Sequence, residues 1–222
     1  SEAVDDLGHR ALVDAARAAG VQRFVYISAM GAAPSHPVDF FRTKYAVERY
    51  LRNSGLSCAI LRPTSFMEWH AHRFNGKPLL DSGRAIILGS GTKRRNFVAA
   101  RDVAQIAIRA LTAPEAPPQP VEVGGPGNYT NDEVAQLYAR EAGIAPRIRH
   151  VPALWLRAMA PVVRVLHPGI ARVLALAGLP DDAYDETFDA TVLTRDYPID
   201  LTTLPAFIRE RVAETRVNSA SS

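Results

Sequence analysis

Short apolar runs alternate along this chain with longer stretches in which apolar residues recur every three or four positions, a pattern that predicts strands followed by helices. Residues 2–19 set Val4, Leu7, Ala11, Leu12, Ala15 and Ala19 on one helical face and end at Gly20. Arg23–Ala29 is a short apolar run rich in β-branched and aromatic residues, as expected of a strand buried on both faces of a parallel sheet. From Phe40 to Asn53, Phe40, Val47 and Leu51 keep helical spacing, and Gly55 stands where a helix C-terminus favours a left-handed residue. Cys58–Leu61 repeats the buried-strand pattern. Strand, helix and strand with no hairpin signal between them form a βαβ unit, whose crossover is almost always right-handed. Ligands of open α/β sheets collect beyond the carboxyl ends of the strands, so Ser28, Lys44, Pro63 and Thr64 are expected to converge on one edge.

Further along, Ala85–Gly89 and Arg94–Ala100 read as two short strands joined by a hairpin-like turn at Gly89-Ser90-Gly91-Thr92. Asp102 is expected to N-cap a helix whose buried stripe is Val103, Ile106, Ala107, Ala110 and Leu111. Pro114–Pro120 is a proline-rich loop, Val121–Gly125 a strand, and Asn131–Ala142 a helix that opens on a Thr130-Asn131-Asp132-Glu133 capping box and ends at Gly143. Gly124-Gly125-Pro126-Gly127 reads as a turn and not a phosphate cradle, because Pro126 removes an amide donor that a cradle needs. Residues 151–179 are strongly apolar, with Arg157, Arg164, His167 and Arg172 on the other side and Pro161 and Pro168 splitting helical pieces. Packing against the core or a second subunit is expected there in preference to a membrane, since the polar face is thin for an interfacial helix. An acidic stretch from Asp181 leads to a last helix beginning near Thr203, with Pro205 in its first turn and a frayed end over Asn218–Ser222.

With 222 residues and 47% hydrophobic content the chain can bury a sizeable core, as one domain with a small appended lobe. A net charge of +3 is mild, and Lys93-Arg94-Arg95 is too short a cluster to mark a nucleic-acid surface. A single cysteine, Cys58, excludes a disulfide framework and a cysteine-rich zinc site. Glu68, His70 and His72 have alternate spacing, but with no further ligand of matching spacing nearby they do not add up to a metal site. Neither a signal peptide nor eighteen uninterrupted apolar residues occurs, so a cytoplasmic location without membrane insertion is expected.

Several runs together resemble the atypical short-chain dehydrogenase/reductases of the NmrA-like, NAD(P)H-binding group. They are Arg23-Phe-Val-Tyr-Ile-Ser-Ala, then Thr43-Lys44 with Glu48, Leu51 and Ser54-Gly55-Leu56, then Ile60-Leu61-Arg62-Pro63-Thr64-Ser65-Phe66-Met67-Glu68. Phe97-Val98, Arg101-Asp102-Val103-Ala104 and Val121-Glu122-Val123-Gly124-Gly125-Pro126 continue the match in order over about half of the chain. The resemblance implies an α/β fold: a partial Rossmann-like, doubly wound parallel sheet over residues 1–150 with an intervening substrate-lobe hairpin, and a mostly helical substrate lobe over 151–222. It implies NADP or NAD as cofactor, with Ser28, Lys44, Pro63 and Thr64 on the nicotinamide side and Phe66 and Trp69 as apolar walls for a small-molecule substrate.

Two departures from that family concern chemistry. A strand followed by a Gly-x-x-Gly-x-x-Gly turn, which holds the pyrophosphate on a helix N-terminus, does not precede Arg23, so weak or absent cofactor binding by this chain alone is expected. The tyrosine that stands four residues before the lysine in catalytically active members is Phe40 here, and a benzene ring donates no proton. The chain therefore reads as an NAD(P)H-dependent oxidoreductase of a small carbonyl or enone compound in its full-length form. The alternatives are a non-catalytic NAD(P)-sensing regulator and a truncated chain without cofactor binding of its own. The Phe24–Ser28 strand is expected to present an unpaired edge and so to favour a homo-oligomer.

Overall fold

The computed structural model describes residues 3–117, 120–180 and 185–220. A wide-turned helical segment, Ala3–Gly8, runs into α1 (His9–Ala18), and β1 (Phe24–Ile27), α2 (Asp39–Arg52) and β2 (Cys58–Pro63) form the expected βαβ unit. Next come β3 (Ser65–Phe66), a second wide-turned segment Met67–Gly76, α3 (Lys77–Ser82), β4 (Arg84–Leu88), β5 (Arg95–Val98), α4 (Ala100–Thr112) and β6 (Val121–Val123). The remaining elements are β7 (Asn128–Tyr129), α5 (Asn131–Ala142), β8 (Arg147–Val151), α6 (Ala153–Leu166), α7 (Pro168–Ala177), α8 (Thr191–Asp196) and α9 (Leu204–Ala220).

The central sheet runs β1-β2-β6, all parallel, with β1 at its edge and Tyr26 beside Ile60. Its side chains alternate between two cores. Tyr26 and Ile60 join Val13, Val47 and Leu51 from α1 and α2 on one face, whereas Leu61 and Val123 join Val103 and Ile106 from α4 on the other. Helices on both faces make the sheet doubly wound, as the buried strand runs imply. A third core packs Met67, Phe97, Tyr138, Leu204, Phe207 and Ile208, so it draws on segments from both sides of residue 150. The expected division at 150 cuts across that core.

Several local expectations are corrected. Strands β4 and β5 do not pair as a hairpin: β4 lies parallel to β8, and β5 lies between β3 and β7. The glycines at 89 and 91 adopt positive φ but turn the chain away, because each strand has a partner distant in sequence. Leu7, in the wide-turned segment, and Leu12, on α1, face outward, and Val13 and Ala16 are the buried residues of α1. In so alanine-rich a helix, Val13, which meets Tyr26 and Leu51, fixes the orientation. Pro161 is carried inside α6 and only Pro168 breaks the helix. Part of the Pro114–Pro120 loop and the start of the acidic stretch lie outside the described residues, as do Ser221 and Ser222. Helix α9 continues through Asn218 to Ala220, where fraying is expected from sequence.

Asp102 does not cap α4 either. It sits three residues into the helix, buried, and accepts from the amide and hydroxyl of Thr202 at 2.7 and 2.9 Å, pinning the segment ahead of α9. The cap comes from Glu68, whose carboxylate accepts from the Ala100 amide at 3.0 Å. The capping box of α5 forms as its sequence predicts, with Gly143 left-handed at the other end.

Candidate functional site

At the carboxyl ends of β1 and β2 a cleft of about 220 Å³ opens. Ser28, Ala29 and Met30 leave β1, Phe40 and Phe41 open α2, and Pro63, Thr64, Ser65 and Phe66 continue from β2, so most of its wall comes from the βαβ unit. His70 from the segment that follows, and Asn96, Leu176 and Glu186 from remote parts of the chain, complete it. Mostly apolar walls with a few convergent polar groups suit a small organic ligand. A hollow of about 250 Å³ between α1 and α2 is lined by Arg10, Asp14, Arg17, Arg49 and Tyr50, but it lies on the outer helical surface, away from the strand ends.

Of the residues expected at the site, Ser28, Pro63, Thr64 and Phe66 line the cleft together. Lys44 stands beside it, its ammonium donating to the Ile27 carbonyl at 2.9 Å and lying 5.0 Å from the Tyr26 ring centre and 5.8 Å from that of Phe40. Trp69 is not in the wall. It is exposed and packs with Phe74 and Arg73.

Ser28 is anchored from behind. Its hydroxyl donates to Glu48 at 2.5 Å, and Arg62 grips the same buried carboxylate through two nitrogens at 2.8 and 2.7 Å while Arg52 reaches it at 3.0 Å. Burial pushes the Glu48 carboxyl up, but the hydrogen bonds from Arg62 and Ser28 and the two guanidinium charges prevail, holding it below the usual range. The serine donor is thus committed, so toward a ligand in the cleft it lines its oxygen can act only as an acceptor.

Asn96 ties the next loop down: its side-chain oxygen accepts from Thr64 and from the Gly125 amide, while its amide group donates to the carbonyls of Gly125 and Gly127. A Cβ on Gly125 would stand 2.0 Å from the Phe97 carbonyl oxygen, so the glycine there serves close packing. At the far wall Glu186 pairs with Lys93 and Arg95.

His70 has a definite tautomer. Its Nδ1 faces the Phe66 carbonyl at 3.3 Å, and a carbonyl only accepts, so Nδ1 carries the proton and Nε2 is an acceptor. Burial, helped by the charge of Arg95, lowers its pKa to about 4, leaving it neutral at physiological pH. Because that value lies below the ordinary 6.5, the unfolded chain protonates first as pH falls. The contribution of neutral His70 is complete above 6.5 and declines toward about 4. A His70→Asn variant should therefore lose less stability than the parent between those values, as measured by urea unfolding across the range. An equal decline in both would assign the acid sensitivity elsewhere.

Glu68, His70 and His72 do not gather: Glu68 caps α4, His70 faces Phe66 and His72 meets the Tyr138 hydroxyl at 3.1 Å. Among the described residues no group of three or more His, Cys, Asp or Glu side chains is arranged to hold a metal ion. Cys58 is buried, which raises its thiol pKa and keeps it unreactive. Asn96, Leu176 and Glu186 carry no local signal in the sequence that would place them in the cleft.

A doubly wound parallel sheet with an apolar cleft at its carboxyl edge defines the Rossmann-like class. Comparison with known proteins adds the family: residues 7–173 match the NmrA-like family, and the chain belongs to it. It is 28% identical over 152 residues to the photosystem II assembly factor Ycf39 of Guillardia theta, covering 68% of this chain and 48% of that protein. It is 32% identical over 134 residues to an NAD(P)H azoreductase of Xenophilus azovorans, covering 60% of this chain and 46% of the relative. The chain thus spans about half the length of these relatives. Among solved structures, an NADPH-dependent quinone oxidoreductase from Escherichia coli, complexed with NADPH, superposes with a TM-score of 0.71 at 21% identity, over 93% of this chain and 70% of that one.

Proposed function

We propose that these residues form the nicotinamide and substrate side of an NAD(P)H-dependent oxidoreductase that reduces a small carbonyl or enone compound. The observation that carries this reading is the apolar cleft at the ends of β1 and β2, where Ser28 and Thr64 offer polar edges and Pro63, Phe40, Phe41 and Phe66 a slot for a flat ring. The neutral Nε2 of His70 accepts a hydrogen bond from a ligand N–H or O–H. Lys44 holds the cofactor ribose by exchanging its bond to the Ile27 carbonyl, and the bound nicotinamide supplies a hydride. The names of the quinone oxidoreductase and azoreductase relatives favour flat, conjugated electron acceptors.

A regulatory reading has one observation of its own: Phe40 occupies the cleft where a proton-donating tyrosine would stand. Binding without turnover would then be the activity, and some relatives are named for assembly.

Calorimetric titration with NADPH and NADH tests both. The glycine-rich turn at 124–127 has the Gly125 amide tied to Asn96, so it offers no open phosphate cradle. These 222 residues alone are expected to bind with a dissociation constant on the order of millimolar or weaker. In a longer form of the protein that binds, Lys44→Ala should weaken affinity by about 1–3 kcal/mol, the worth of a charge-assisted hydrogen bond. Unchanged affinity would leave Lys44 as a strand-edge tie to Ile27 and nothing more.

A further inference from the structure

We propose that the outer face of the α6–α7 hairpin docks on an anionic lipid surface. Among the described residues of the hairpin, only Leu156, Ala160 and Ala171 are buried. Turned outward are Trp155, Val162 and Ile170 with Leu154, Val165 and Leu166, the last three between 75% and 85% exposed. So many large apolar side chains on one face exceed the scattered exposure that is normal on a soluble surface. At about 100° per residue, Leu154, Trp155, Met159, Val162, Val165 and Leu166 share one broad arc of α6, opposite Leu156 and Ala160. Arg157 and Arg164 lie on one flank of that arc, both exposed, where long side chains can carry their charge to the level of lipid phosphates.

Charge decides the occupant. Between Glu141 and Asp181 the sequence contains no further acidic residue, while Arg147, Arg149, Arg157, Arg164 and Arg172 fall within that span. A second copy of this chain, docking by two-fold symmetry, would bring Arg157 and Arg164 against a hairpin face whose helices α6 and α7 carry no carboxylate to pair them. An anionic bilayer supplies the missing charge and accepts the apolar arc, and an exposed tryptophan suits the headgroup boundary. The thin polar face that argues against this from sequence is accounted for by the fold, because the opposite side of α6 rests on protein and needs no charged surface. Among the described residues no helix is long and apolar enough to cross a membrane, so the contact is with the surface.

The test is co-sedimentation of the protein with phosphatidylcholine vesicles and with vesicles in which about a third of the lipid is phosphatidylglycerol. Trp155 emission is followed in a Trp69→Phe background, where it is the remaining indole. Binding should rise about tenfold or more with the anionic lipid, shift the Trp155 emission to the blue and weaken in high salt. Val165→Asp should abolish it without changing the melting temperature, since that side chain is 85% exposed. Arg157→Glu with Arg164→Glu, also at exposed positions, should remove the preference for anionic lipid and covers the case in which Val165→Asp does not fold. Equal binding to both vesicles, or none to either, overturns the proposal. A dimer in light scattering that Val165→Asp dissolves, with no vesicle binding, assigns the face to a second copy instead.

Discussion

Glu48→Gln is expected to cost about 3–5 kcal/mol of folding stability, because it removes one partner of a buried ion pair and leaves the other unneutralised. The carboxylate is fully buried and takes two bonds from Arg62, one from Arg52 and one from Ser28. Arg62 carries the larger share, since its side chain is only 15% exposed, whereas Arg52 at 33% is nearer the surface regime of roughly 0–1 kcal/mol. The sign with pH follows from the lowered Glu48 pKa. Its contribution is whole above the ordinary 4.5 and is lost as pH falls through the lower folded value. The difference between parent and variant should therefore be largest near neutrality and shrink in acid. Urea unfolding at pH 7 measures it, and a loss under about 1 kcal/mol would mean the pair behaves as a surface contact. The double change Glu48→Leu with Arg62→Met should recover most of the loss, since apolar replacements of a buried pair are often neutral.

What the sequence made legible is mainly local. The βαβ unit, the left-handed Gly55 and the capping box at Thr130 each depend on residues within one or two turns, and each appears where the pattern puts it. Four of the six expected site residues meet in the cleft for a similar reason, Ser28, Pro63 and Thr64 at the strand ends of one βαβ unit and Phe66 two residues beyond. The misses depend on distant contacts. Strand β4 pairs with β8, more than sixty residues on, and no turn residue announces it. The alternation in Arg147-Ile148-Arg149-His150-Val151 is a strand signal in retrospect, but its side chains are at most half-buried. Asp102 looks like a cap by type and position, yet its partner is Thr202. Glu186 reaches the cleft because Lys93 and Arg95 draw it there, a pairing that composition leaves open. Trp69 fails as a wall because the wide-turned segment Met67–Gly76 points His70 inward and leaves the indole outside.

Phe40→Tyr is expected to raise reduction of simple ketones by ~10²–10⁴, the usual worth of a positioned general acid. Phe40 already lines the cleft, with its ring centre 5.8 Å from the Lys44 ammonium, so a phenol there would lie near a positive charge that favours its ionised form. Hydride addition to a simple ketone leaves a strongly basic alkoxide, which must take a proton nearly as it forms. Addition to an enone or a quinone leaves an enolate or a hydroquinone anion, whose charge is delocalised and which water can protonate later. With phenylalanine at 40 and His70 held neutral by a pKa of about 4, and with the Thr64 hydroxyl donating to Asn96, the described cleft has no strong proton donor in its wall beyond a hydroxyl such as that of Ser65. The parent should therefore favour conjugated acceptors, and the variant should extend reduction to simple ketones while changing the rate on a quinone by less than about tenfold. Steady-state assays with NADPH on one substrate of each kind, using a longer form that binds the cofactor, separate the possibilities. Ketone reduction by the parent at a rate the tyrosine does not improve would show that another group delivers the proton. Binding of NADPH with no turnover of either substrate, in parent and variant alike, would favour the regulatory reading.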